Sequence, residues 1–188
     1  MVYISPLFTQ QNSAKQKGSP ANLSFADAFF TPFNTAESLP SAGENKYTIV
    51  YNGELYNTDE VRNELLQSGH KFYTNSDTEV VLKAYVQWLD ESVNKLNGIF
   101  AFAIWCSVSK KLFLARDRMG VKPLFYRYEK DRMLFASEIK TILAHPNIDA
   151  LLDASGACQI LMFGPGTIPG SGVFKGIMEL EPGCCGWF

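Results

Sequence analysis

The chain has 188 residues, of which 46% are hydrophobic and 19% charged, with a formal net charge of −2. A chain of this length buries roughly 70% of its unfolded surface, enough for one domain with a substantial core. With no Lys/Arg block and no apolar run near the ~20 residues a bilayer span needs, neither nucleic acid nor membrane is an expected partner.

The opening Met1-Val2-Tyr3-Ile4 is too short, and has no cationic start, for a signal peptide, so the chain is read as cytoplasmic. Residues 1–46 are rich in Ser, Gln, Asn, Pro and Ala, and form an atypical, weakly ordered N-terminal segment on composition. The polar stretch Thr9 to Pro20 has no periodicity, and Ala26 to Phe30 is at most a short helical turn. Limited proteolysis should therefore cut within 1–46 before anywhere beyond residue 47. Protection of that stretch equal to the core would contradict this.

From residue 47 the pattern becomes dense. Tyr47 to Tyr51 reads as a strand ending in a tight turn at Asn52-Gly53. Asn57, with Glu60 three residues on, predicts a helix start, and Gly69 a stop. Ser76-Asp77-Thr78-Glu79 has the capping-box spacing, and Val80, Val81, Ala84, Tyr85, Trp88 and Leu89 form an apolar helical stripe. Strands follow at Ile99 to Trp105, Lys111 to Ala115, Pro123 to Tyr128 and Met133 to Ala136. Ser137 opens a short helix that His145-Pro146 ends, and a last helix spans Asp153 to Met162. The segment Gly164-Pro165-Gly166-Thr167-Ile168-Pro169-Gly170 after it is rich in turn residues. Helices in pairs and strands in runs predict an α+β layered domain. The strand Ile99 to Trp105 is apolar on both faces, which calls for cover on both sides and more than two layers.

Four positions carry alternative readings. Asn52-Gly53 is either a plain turn or a pair of donors for a developing oxyanion. Asp77 either caps a helix or binds an ammonium group. Arg116-Asp117-Arg118-Met119-Gly120 reads as a surface ion-pair turn, since one glycine is too few for a phosphate cradle. Gly170, Gly172 and Gly176 miss the dinucleotide spacing by one residue and read as loop. Cys106, Cys158, Cys184 and Cys185 form no C-x-x-C pair and lie far from His70 and His145, so no metal site is expected and the thiols are read as reduced.

Taken together, five segments occur in one order with characteristic gaps: Asn52-Gly53-Glu54-Leu55-Tyr56-Asn57, Ser76-Asp77-Thr78-Glu79, Leu96 to Ala103, Ala115 to Leu124, and Phe135-Ala136-Ser137-Glu138-Ile139-Lys140. Over residues 47–188 this series resembles the N-terminal, class II glutamine amidotransferase domain of glutamine-hydrolysing asparagine synthetases. The resemblance implies a four-layer αββα sandwich of two antiparallel sheets between helical layers, as in N-terminal-nucleophile hydrolases, with the N-terminal strand region incomplete. It implies an oxyanion hole at Asn52 and Gly53, and L-glutamine binding by Asn52, Gly53, Glu54 and Asp77. No cofactor is implied for this domain; ATP and Mg²⁺ would belong to the synthetase domain, which amidates aspartate with the ammonia released.

The family's nucleophile is an N-terminal cysteine whose own amine relays the proton. These 188 residues open Met1-Val2-Tyr3, without that cysteine, the early arginine that holds the glutamine carboxylate, or the ATP loop of the synthetase domain. The chain alone is therefore expected to bind L-glutamine weakly and to be inactive. The alternative is a non-catalytic amidotransferase-like domain that binds or interacts.

Overall fold

The computed structural model describes residues 35–40, 46–129, 132–164 and 168–188. Strands β1 (Thr35–Pro40), β2 (Lys46–Leu55), β3 (Gly98–Cys106), β4 (Lys111–Arg116), β5 (Phe125–Glu129), β6 (Arg132–Ala136), β7 (Ile177–Glu179) and β8 (Cys185–Trp187) form two sheets. The larger has the order β1-β2-β3-β4-β8 and the smaller β6-β5-β7, and all pairings are antiparallel. Helices α1 (Thr58–Gln67), α2 (Asp77–Trp88) and α3 (Ser92–Lys95) come between β2 and β3, while α4 (Ile139–Leu143) and α5 (Ala154–Phe163) follow β6.

Strand β3 explains the layering, because alternate side chains leave a strand on opposite faces. Phe100, Phe102 and Ile104 join Ile49, Tyr51, Phe113 and the α2 residues Val80, Val81 and Tyr85 in one core. Ala101, Ala103 and Trp105 meet Tyr126, Met133 and Phe135 of the smaller sheet, and Leu124 just before it, in a second. A third cluster, with Leu134, Ala136, Ile142, Ile148 and Ile177, seats α4 on the outer face of that sheet. The result is helix, sheet, sheet, helix: more than two layers, as the all-apolar strand required, and the four layers that the resemblance implied.

Three local expectations need correction. Strand β2 does not turn at Asn52-Gly53 but runs on to Leu55, with Asn52 opposite Ala101 and Gly53 opposite Phe100. The glycine serves close approach, because a Cβ there would lie 2.4 Å from the Ile99 carbonyl oxygen and 2.8 Å from the Phe100 Cα. Asn57 precedes α1 but its side chain caps nothing. Its amide donates to the Lys95 carbonyl at 2.9 Å and its Oδ1 accepts from the Asn97 N–H at 2.9 Å, fastening the helix start to the entry of β3. Leu89 leaves the apolar stripe: it is exposed and takes φ 51°, where α2 ends.

Gly69 ends α1 as expected, at φ 88°. Within the segment read as atypical, Thr35–Pro40 pairs with β2 from Thr35↔Tyr51 to Pro40↔Lys46 as an edge strand. The stretches Thr9 to Pro20 and Ala26 to Phe30 lie outside the described residues. Among the described residues no helix is long and apolar enough to cross a membrane, and no group of three or more His, Cys, Asp or Glu side chains could hold a metal ion.

Candidate functional site

Pairing between β1 and β2 ends at Thr35↔Tyr51, so among the described residues only β3 runs beside Asn52, Gly53 and Glu54. Backbone groups of alternate residues in a strand face the same edge. The Tyr56 N–H reaches the Asn97 carbonyl at 2.8 Å on the β3 side, which directs the N–H groups of Leu55 and Gly53 to the opposite, open edge. There the Leu55 N–H donates to Asp77 Oδ2 at 3.3 Å. The Asn52 side chain, in register with Ala101, faces the smaller sheet, and its amide nitrogen lies 3.5 Å from Oγ of buried Ser137. Glu54 is exposed two residues further along the same face.

Asp77 begins α2 without capping it. The cap is Ser76, whose Oγ accepts from the Thr78 N–H at 3.0 Å. The Asp77 carboxylate turns to β2 instead, accepting the Tyr51 hydroxyl at 2.9 Å as well as the Leu55 N–H. Its two anchors thus bracket Asn52-Gly53-Glu54 along the strand; the Asn52 and Glu54 side chains leave β2 on the smaller-sheet face, and Asp77 approaches from the helix side. Two small hollows among the described residues are lined by other side chains, one by Leu134, Ile142 and His145, the other by Phe100, Arg116 and Cys184.

The loop that delivers Asp77 is held from beneath by Glu79, a role the capping-box spacing did not indicate. Glu79 is fully buried and accepts from the Tyr73 N–H at 3.0 Å, the Thr74 N–H at 2.7 Å and the Thr74 hydroxyl at 2.7 Å. It also pairs with Lys83 at 3.1 Å. Arg62 donates to the carbonyls of Thr74 and Ser76 at 3.0 and 3.2 Å. Burial raises the Glu79 pKa, but the hydrogen bonds of Thr74 and Tyr73 and the Lys83 contact outweigh it, so the net direction is down. A depressed carboxylate contributes stability that is present above its unfolded pKa and lost as pH falls through the folded one. Denaturant unfolding between about pH 6 and about pH 3 should therefore show a loss on the acid side that Glu79→Gln makes shallower. An unchanged acid limb would remove Glu79 from this role.

The Arg116 to Lys122 loop is not the surface ion-pair turn expected. Asp117 is buried, and its carboxylate accepts from the N–H groups of Met119, Val121 and Lys122, each at 3.0 Å, and of Phe100 at 3.3 Å. Arg116, also buried, donates to the carbonyls of Lys122, Gly120 and Leu180 and pairs with Glu179 at 2.9 Å. The loop N–H groups of Met119, Val121 and Lys122 are engaged by Asp117 rather than turned outward to a phosphate. The loop braces β3 at Phe100, the residue opposite Gly53. The sequence reading missed it because spacing does not reveal whether a charged turn faces inward.

All four cysteines are unpaired; Cys158 is exposed, while Cys106, Cys184 and Cys185 are buried. Burial pushes the Cys185 thiol up to about 12, which makes it a poor nucleophile at neutral pH.

A family profile described as a glutamine amidotransferase domain matches residues 34–188. Asparagine synthetase [glutamine-hydrolyzing] 3 of Bacillus subtilis is 55% identical over 72% of this chain and 22% of its own length. Asparagine synthetase [glutamine-hydrolyzing] 1 of the same organism is 42% identical, covering 64% of this chain and 19% of that one. The chain thus spans about a fifth of these curated relatives. Among solved structures, glutamine phosphoribosylpyrophosphate amidotransferase from B. subtilis superposes with a TM-score of 0.50 at 25% identity, over 56% of this chain and 25% of that one.

Proposed function

The chain belongs to the glutamine amidotransferase domain family, and from that premise we propose that it is the glutamine-handling domain of a glutamine-hydrolysing asparagine synthetase. The observation that carries this reading is the attachment of Asp77 to β2 on both sides of Asn52-Gly53-Glu54. Asn52 through its amide and Gly53 through its N–H on the open edge would receive the charge that develops on the carboxamide oxygen during hydrolysis. Fixed donors of that kind stabilise a transition state more than a ground state. Glu54 and Asp77 supply two carboxylates for the α-ammonium group of L-glutamine. The 55% identity to an asparagine synthetase supports the choice of family branch.

The thiol is the part these residues do not provide. Each of the four cysteines is internal, so none has the free amine that would relay the proton. The synthetase domain is the proposed partner, and ATP and Mg²⁺ are assigned to it. The proposed compartment is the cytoplasm, and the proposed division of the chain remains 1–46 and 47–188, with Thr35–Pro40 added to the domain as an edge strand.

Calorimetric titration with L-glutamine, with ammonia release followed in parallel, tests this reading. We expect weak binding by the 188-residue chain and ammonia release at background. Asp77→Asn should weaken binding by the ~1.5–3 kcal/mol of a charge-assisted contact, about ten- to a hundredfold. Turnover above background would contradict the inactivity of the chain by itself, and an Asp77→Asn chain that binds as well would contradict the assignment of the site.

A further inference from the structure

We infer that Tyr51 is a positioning residue: its hydroxyl holds one oxygen of the Asp77 carboxylate so that the other is presented to the ammonium group of the bound amino acid. This rests on the reading of Asp77 given above and adds to it a residue outside the matched motifs. Tyr51 faces the helix-side core and is 2% exposed. A phenylalanine would fill that volume equally well, and a buried hydroxyl is unfavourable unless it is hydrogen-bonded. Its partner is Asp77 Oδ2, at 2.9 Å, and the Leu55 N–H reaches the same oxygen at 3.3 Å.

Two donors on one oxygen fix the rotation of the carboxylate. Among the described residues Oδ1 receives no hydrogen bond and no ion pair, so its acceptor capacity is left for a ligand. Burial, reinforced by the negative charges of Asp77 and Glu54, drives the Tyr51 pKa far above its ordinary value, so the phenol remains a donor throughout the neutral range. From the other side, Glu79 and Arg62 fix the loop that carries Asp77. The strand therefore sets the orientation of the carboxylate and the loop sets its position.

The test uses two probes, L-glutamine and 4-carbamoylbutanoate, which is the same molecule without its α-amino group. Both are titrated by NMR against the wild-type chain, Tyr51→Phe and Asp77→Asn, with folding of each variant checked by its thermal transition. The expected result is that Tyr51→Phe weakens L-glutamine about three- to tenfold and leaves 4-carbamoylbutanoate unchanged, with Asp77→Asn showing the same discrimination more strongly. Equal weakening of both probes by Tyr51→Phe would mean a merely structural role and would overturn the inference. So would an unchanged L-glutamine affinity in Tyr51→Phe while Asp77→Asn discriminates; in that case the reading of Asp77 stands. No discrimination by Asp77→Asn, or no L-glutamine binding by the wild-type chain, would remove both.

Discussion

Replacing Asp117 by alanine should cost about 3–5 kcal/mol, the range for removing one member of a buried charged network. The carboxylate accepts four backbone N–H groups, from Phe100, Met119, Val121 and Lys122. Truncation leaves all four without their acceptor, and an unsatisfied buried donor costs about 1–3 kcal/mol before water or local rearrangement recovers part of it. It also removes the negative charge next to Arg116, whose guanidinium stays buried on Glu179 and three carbonyls. Asp117→Asn keeps one carbonyl oxygen and the side-chain shape, so its loss should be distinctly smaller. Urea unfolding of the two variants against wild type measures both. A loss below ~1 kcal/mol for alanine would mean a solvated loop of the kind that supports only weak surface pairs.

The second large effect is expected at Phe102. The side chain is fully buried in the core beneath α2, with ring centroids 5.6 Å from Phe100 and 6.1 Å from Phe113. Phe102→Ala removes most of a large apolar side chain and leaves a cavity that the surrounding strands and helix cannot fully collapse. The expected cost is about 3–5 kcal/mol, or a fall in Tm of roughly 6–20 °C for a chain of this size. A loss under ~1 kcal/mol would place β3 in the wrong register, because a shift by one residue turns every one of its side chains to the other face.

Long, strongly patterned elements were legible from the sequence. The all-apolar run Ile99 to Trp105 implied cover on both faces, and β3 has a core on each side. The stripe through Val80, Val81, Ala84 and Tyr85 located the buried face of α2. Elements of three or four residues, β7, β8 and α3, were missed because so short a run completes barely one helical turn or one strand repeat, too little for a periodicity to register. The turn expected at Asn52-Gly53 failed for another reason. Glycine is used equally for positive φ and for the close approach of a neighbouring backbone, and the sequence does not say which; here Ile99 and Phe100 are the neighbours.

The candidate site was legible only as residue identities. Motif order named Asn52, Gly53, Glu54 and Asp77, but nothing local joined a helix start to a strand twenty-odd residues earlier. That connection is the Tyr51 hydroxyl, a contact across 26 positions. Glu79 was legible only as part of a capping box and Asp117 only as part of a surface ion-pair turn, because an inward-facing carboxylate and a surface one have the same spacing in sequence. Burial and partners separate them.

The central claim is that Asn52, Gly53, Glu54 and Asp77 form one glutamine-binding edge. The most direct measurement is a titration of the ¹⁵N-labelled chain with L-glutamine, following the amide signals. We predict concentration-dependent shifts concentrated at residues 51–55 and 76–78, with Asp77→Asn shifting the titration to higher ligand concentration. Shifts centred elsewhere, or none at these positions at saturating L-glutamine, would contradict it.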